Sequence, residues 1–220
     1  MRGKSHLIAG IATGIVISEH LNINPLITIG LSTLGSVIVD IDEQSSTINK
    51  VLFPFVKQKD RNKIKAIVGA AMVLQSFSVL VRYFGVLILL SIVSSKVQYK
   101  FSIFKGFYKR EYHRTYFHDP IIGTILFVIP FYIMDIPNEY KIAFIVGVML
   151  GHYLMDMFTH YGLPLYILKV FGIHKPLRIP LVHFDSRNKV AENIVVISYA
   201  GLMILIRFPF LIEYIKNLNL

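Results

Sequence analysis

Seven mainly apolar segments divide the chain, separated by shorter polar connections. They lie near residues 7–20, 26–40, 64–81, 84–95, 120–135, 141–158 and 194–213. A helix that spans a bilayer needs roughly 20 apolar residues, with a range of about 17–25, and the last two segments meet this requirement best. The first two are short and rich in small residues, so we expect them to pack against neighbouring helices. The pattern predicts an all-α, polytopic membrane bundle of about six to seven apolar helices.

The segments 64–81 and 84–95 lie so close together that they could form one helix. Such a helix would be about 47 Å long at 1.5 Å per residue, whereas the hydrocarbon core is roughly 30 Å thick. We therefore predict a helical hairpin that turns near Arg82 and Gly85.

Positive charge is concentrated in three connections. The loops 43–65 and 96–118 each carry six Lys or Arg residues and the loop 159–193 carries five, whereas the turns 21–25 and 136–140 carry none. With a hairpin at 82, all three basic loops and the N-terminus lie on one side of the membrane. The positive-inside rule makes that side cytoplasmic.

Composition restricts the chemistry that the chain can perform. Of 220 residues 54% are hydrophobic, and there is no cysteine, so a metal would be held by nitrogen and oxygen atoms. Lys and Arg outnumber Asp and Glu by 23 to 13, but no basic run alternates with aromatic residues on a soluble module, which argues against nucleic acid as a partner. We find no internal repeat or linker and expect a single domain, 1–220.

Ionisable side chains gather where four segments meet the basic side. His152 and Asp156 interrupt an apolar segment, where such groups are costly and indicate function. They are four residues apart, so a helix places both side chains on one face about 6 Å apart, and an imidazole and a carboxylate could share one metal ion. The other candidate ligands lie at the ends of the remaining segments: His6, Asp40, Asp42, His113 and His118.

Each of these residues also has an ordinary structural explanation. His6 could be an interfacial or capping histidine, Asp40 and Asp42 could be hydrated groups at a helix end, and the loop histidines could be solvated. Their shared depth favours a common site. Three further residues are weaker candidate ligands: His160, His183 and Glu192.

The order and spacing of these motifs resemble the bacterial membrane-bound metal-dependent hydrolases, also described as YdjM-like inner-membrane hydrolases. The resemblance is carried by His6 with Gly10, Asp40-Ile41-Asp42, His113-Arg114 with His118, His152-x-x-x-Asp156, and Thr159-His160-Tyr161-Gly162. That family is distantly similar to the zinc-dependent phospholipase C and P1 nuclease group, which implies a phosphoester substrate.

The expected function is therefore hydrolysis of a phosphoester in a lipid or lipid-linked substrate, at the cytoplasmic face of the bacterial inner membrane. Zinc suits imidazole and carboxylate ligands, as two or more ions, although manganese and iron suit them as well. Water activated by the metal would lose a proton to Asp119 or Asp42. Arg114 and Arg178 would contact phosphate oxygens.

A metal or ion transporter, or a non-catalytic anchor for a cytoplasmic partner, is the alternative. Transporters commonly place ionisable groups near the bilayer midplane, between repeated halves. Here the acids and histidines lie at segment ends and no repeat is seen, which favours the hydrolase.

Overall fold

The chain folds into a bundle of α-helices in the computed structural model. The structure describes residues 1, 3–21, 23–43, 45–75, 78–100, 116–169, 171–172, 177–179, 184–185 and 188–218. Among them there is no β-strand, and only two isolated bridges, Thr159 with Phe184 and Leu163 with Leu177, pair extended backbone. The prediction of an all-α fold is confirmed.

Ten α-helices are found among the described residues, linked in places by 3₁₀ turns and one π-helical segment. The α-helices are α1 (Gly3–Ile17), α2 (Pro25–Ile38), α3 (Thr47–Leu52), α4 (Arg61–Leu74), α5 (Val79–Lys100), α6 (Pro120–Ile133), α7 (Asn138–Val146), α8 (Leu154–Met157), α9 (Tyr166–Lys169) and α10 (Lys189–Leu218). The 3₁₀ turns are Val39–Asp42, Gln58–Asp60 and Tyr116–His118, and the π segment Gly147–Tyr153 joins α7 to α8.

The first two helices pack closely, as their small residues predicted. Asn24 begins α2 by accepting the amide of Leu26 at 2.8 Å, a standard N-terminal cap. Ser32 Oγ then donates to Gly10 O at 3.0 Å. A Cβ on Gly10 would lie 2.2 Å from Ser36 Oγ, so glycine is needed for this approach.

The helical hairpin at 64–95 is confirmed, but its predicted turn is misplaced. Arg82 and Gly85 lie inside α5, and α4 ends at Leu74. The side-chain amide of Gln75 donates to Met72 O at 3.0 Å and to Ser78 O at 3.2 Å, bridging the break in the helix. Gly85 packs against Gly69 instead of forming the turn.

The number of helices long enough to cross a membrane differs from the sequence prediction. Among the described residues, two helices are long and apolar enough to cross a membrane, Pro25–Asp42 and Lys189–Arg207, rather than six to seven. Three other apolar helices are shorter: Gly3–Ile17, Val79–Ser94 and Pro120–Ile133. Helices of 14 or 15 residues, such as α6 and α1, reach only about 21–23 Å at 1.5 Å per residue, less than the thickness of a bilayer core.

An aromatic core fixes α5, α6 and α7 against one another. The rings of Tyr83 and Phe131 stack with centroids 4.0 Å apart, and Phe144 meets both edge-on. Tyr83 also donates its hydroxyl to Phe127 O at 3.2 Å. This packing positions α6 and α7, which adjoin the 3₁₀ turn Tyr116–His118 and the π segment Gly147–Tyr153 of the polar cluster described below.

Candidate metal centre

His152 lies at the centre of the polar cluster, in the π segment that follows α7. A Cβ on Gly147 would lie 2.0 Å from Ser32 O, so α2 runs directly against this segment. The ring of His152 is fully buried, and its Nδ1 lies 2.7 Å from Ser36 O. If Nδ1 carries the proton, Nε2 is left as a lone-pair nitrogen. Short π segments occur frequently at functional sites.

His6 and Asp156 complete a first group around this ring. The imidazole of His6 stacks on that of His152, and its Nδ1 lies 3.2 Å from Gly151 O. The Nε2 atoms of both histidines lie 3.5 Å from the carboxylate of Asp156, one on each oxygen. The N-terminal ammonium of Met1 also donates to Asp156 Oδ1, at 2.8 Å. Three of these four polar contacts therefore come from Met1 and His6, at the N-terminal end of the chain.

Asp40 and His118 form a second group with the same His152. His118 Nε2 lies 3.1 Å from Asp40 Oδ1, and the His118 ring centroid is 5.2 Å from that of His152. Tyr153 donates its hydroxyl to Phe117 O at 2.6 Å, which holds the short turn that presents His118. In each group the candidate ligand atoms lie within 4.8 Å of one another.

The donor set fits a divalent metal. It consists of imidazole nitrogens and carboxylate oxygens, which suit zinc, manganese and iron. His6, His152 and Asp156 are no more than 1% exposed. Within the described chain, His152 Nε2 and His118 Nδ1 have no hydrogen-bond partner, although buried polar atoms normally have one. Backbone carbonyls orient His6 and His152 in the manner of outer-shell partners of metal-binding histidines.

Asp42 lies next to this cluster but outside both groups. It is 2% exposed, and neither carboxylate oxygen has a hydrogen-bond partner among the residues that the structure covers. Its electrostatic neighbour is Lys65 of α4, a fully buried lysine that donates to Ile41 O. Burial lowers the pKa of the Lys65 ammonium to about 8, and the Asp42 carboxylate opposes that shift.

Sequence reasoning missed Lys65 and Asn49. Asn49 is fully buried and its amide donates to Ile41 O at 2.8 Å and to Glu43 O at 2.7 Å. Both residues therefore bind the backbone of the Asp40–Asp42 turn. Lys65 could have been noticed as a charge at the start of an apolar segment, whereas nothing in the sequence distinguishes Asn49.

Asp119 is placed as a helix cap rather than as the expected proton acceptor. Its Oδ1 accepts the amides of Ile121 and Ile122 at 2.8 and 3.0 Å, and its Oδ2 accepts the amide of Tyr166. Both oxygens are thus engaged by backbone amides, Oδ1 at the start of α6 and Oδ2 at the start of α9. The carboxylate has a structural role that its position before Pro120 could have indicated.

The remaining candidates lie around the cluster or outside the described residues. Glu192 is buried and accepts a hydrogen bond from Ser5 Oγ at 2.6 Å. His160 is exposed, because the helix ends at Met157 and does not continue to it. Arg178 is half-buried beside that helix end, where the amide of Ile179 donates to Met157 O at 3.1 Å. His113, Arg114 and His183 lie outside the described residues.

Fold and site together define an all-helical membrane protein with a buried histidine–aspartate cluster where its helix ends meet. The sequence model of the YdjM inner membrane protein family matches residues 1–210, and the chain belongs to that family. No curated protein and no solved structure matches the chain.

Proposed function

We propose that the chain is a membrane-embedded, metal-dependent hydrolase that cleaves a phosphoester of a lipid or lipid-linked substrate. The observation that carries the proposal is the meeting of two candidate ligand groups at His152, with His6 and Asp156 on one side and Asp40 and His118 on the other. The residues come from four separate stretches of the chain. A buried polar cluster of this kind is costly to maintain unless its groups are paired or bind a metal.

Five residues would hold the metal: His6, Asp40, His118, His152 and Asp156. Two ions sharing the region of His152 fit the arrangement, with zinc as the first candidate and manganese or iron as substitutes. The carbonyls of Ser36 and Gly151 would keep the Nε2 atoms of His152 and His6 directed at Asp156. When bound, such an ion lowers the pKa of coordinated water from 15.7 to about 7 and polarises phosphoryl oxygens.

Proton transfer and phosphate binding would be carried out by residues beside the cluster. Asp42 is the group best placed to accept a proton, because both of its oxygens lack a hydrogen-bond partner within the described chain. Arg178, and Arg114 from the basic loop, would bind phosphate oxygens through their planar guanidinium groups. The substrate would reach the site from the lipid, since the helices that carry the cluster are apolar on their outer faces.

We further propose a multi-pass topology with the cluster on the cytoplasmic side. The end of the spanning helix Pro25–Asp42 carries Asp40 and Asp42, and the basic loop 43–65 follows directly. This arrangement satisfies the positive-inside rule.

Metal content is the first test. The purified protein, loaded with zinc and freed of excess metal, should retain at least about one equivalent and hydrolyse bis-p-nitrophenyl phosphate. His152→Ala, which removes the residue common to both ligand groups, should lose both properties, whereas His20→Ala, which alters an exposed histidine beyond the opposite end of α1 from His6, should keep them. Retention of zinc without hydrolysis, together with zinc flux in proteoliposomes, would instead support a transporter. Absence of zinc from the wild type would refute the proposal.

A further inference from the structure

An exposed apolar patch of Val51, Leu52 and Phe55 comes after the Asp40–Asp42 turn in the sequence, on the same side of the molecule as the polar cluster. Phe55 is 99% exposed and Val51 is 71% exposed, and Leu52 beside them is half exposed. Ile48, before the patch in the sequence, and Phe53, between Leu52 and Phe55, are buried. The segment is thus folded, with one face packed inward and one apolar face left outside.

This segment is fixed in place at the end of a spanning helix. Ser46 caps α3 through the amide of Asn49, and the Asn49 side chain binds Ile41 O and Glu43 O. Thr47 packs against Gly3 at the start of α1. If the candidate spanning helix that ends at Asp42 crosses the bilayer, the patch would lie near the depth where hydrocarbon gives way to lipid headgroups.

Positive charge surrounds the patch. Lys50, Lys57 and Lys59 are exposed within nine residues of one another in sequence, before and after the apolar side chains. The acidic neighbours are Glu43, which is bound by Ser45, and Asp60, which lies 4.0 Å from Lys63. Basic residues next to a membrane helix attract anionic lipids, and bulky apolar side chains between them can insert below the headgroups.

We propose that residues 51–55, together with Lys50, Lys57 and Lys59, dock into the anionic headgroup layer of the membrane that holds the protein. The apolar side chains lie among the upper acyl chains and the ammonium groups contact lipid phosphates. Docking of α3 also steadies the Asp40–Asp42 turn, to which Asn49 connects it. This inference goes beyond the proposed hydrolysis and does not depend on it.

The absence of tryptophan from the chain makes a direct test possible. Phe55→Trp introduces a single fluorescent reporter into the full-length protein, which is reconstituted into vesicles of phosphatidylcholine alone or mixed with phosphatidylglycerol. In the mixed vesicles we expect blue-shifted emission, quenching by brominated acyl chains, and acrylamide quenching roughly threefold weaker than for a hydrated site. Ser45→Trp, on an exposed residue outside the patch, is the matched control and should remain open to acrylamide.

The lysines are tested by combining Lys50→Gln, Lys57→Gln and Lys59→Gln with the reporter. The combination should remove the difference between the two vesicle compositions. If Phe55→Trp fails to fold, Val51→Trp serves as the reporter.

The proposal is overturned if acrylamide quenches the reporter as strongly as Ser45→Trp in both kinds of vesicle. That result would indicate that a protein partner, and not lipid, covers the patch. It is also overturned if lipid charge and the lysine changes have no effect. Metal content, measured on the same samples, separates these outcomes from failure of the metal site.

Discussion

The imidazole rings of His6 and His152 stack face to face, with centroids 3.9 Å apart and planes inclined by only 16°. Both rings are buried, and both direct Nε2 to the carboxylate of Asp156. The two rings therefore present one nitrogen each to the same carboxylate, an arrangement in which two imidazoles and a carboxylate could bind one metal ion.

His152 belongs to both ligand groups, and this predicts an asymmetry among single substitutions. His152→Ala should abolish zinc retention, whereas His6→Ala and His118→Ala should each weaken binding at one group and leave part of it. Loss of an oriented ligand lowers metal affinity by at least about 10–100-fold. Isothermal titration of the three variants, with circular dichroism to verify folding, measures the effect. Equal retention in all three would contradict a shared histidine.

Close packing beneath the cluster predicts a large effect of one added methyl group. In Gly151→Ala the new Cβ would lie 2.6 Å from Ser36 Cβ and 3.2 Å from Gly10 Cα, so α1 or α2 must move. We expect a loss of about 1–3 kcal/mol in the free energy of unfolding, measured by titration with dodecyl sulfate, and weaker zinc binding. The control is Gly201→Ala in α10, where nothing lies within 4 Å, and a gain of about 0.5–1 kcal/mol is expected. Similar behaviour of the two variants would argue against the packing described.

The capping role of Asp119 is separable from a role in proton transfer. Asp119→Asn keeps an oxygen for the amides of Ile121 and Ile122, loses the acceptor of the Tyr166 amide and cannot accept a proton at neutral pH. Asp119→Ala removes the cap altogether. We expect the asparagine variant to retain hydrolysis and the alanine variant to lose about 1 kcal/mol of stability. A large loss of the hydrolysis rate in Asp119→Asn, with stability unchanged, would instead indicate that Asp119 takes part in proton transfer.

Lys65 and Asp42 are buried electrostatic neighbours, so their effects on stability should be coupled. Lys65→Met removes the ammonium near Asp42 and its hydrogen bond to Ile41 O, at a cost of about 1–3 kcal/mol in unfolding free energy. Adding Asp42→Asn should recover much of that loss. A double variant as unstable as Lys65→Met would show that the ammonium acts only through its bond to Ile41 O.

The sequence allowed the helical class and most of the cluster to be predicted, because both depend on local patterns. Apolar periodicity located α1, α2 and α6 to within a few residues, and the spacing of His152 and Asp156 on one helix sufficed to pair them. The meeting of His6, Asp40 and His118 with that pair followed from charge asymmetry between loops.

Features that depend on three-dimensional packing were not predicted. The hairpin turn was predicted near Arg82 and Gly85, but Gly85 packs against Gly69, and the helix breaks after Leu74, where the Gln75 amide bridges Met72 and Ser78. The number of spanning helices was overestimated because apolar length in sequence does not reveal where a helix stops. Asp119 was predicted to accept a proton, because only the structure shows the backbone amides that it caps.

The most direct test of the metal site is X-ray absorption at the zinc edge of the loaded protein. We expect a first shell of nitrogen and oxygen at about 2.0–2.2 Å, with outer-shell scattering from at least two imidazoles that disappears in His152→Ala. Zinc bound without imidazole scattering, or with an unchanged spectrum in His152→Ala, would contradict the assignment of this cluster as a metal centre.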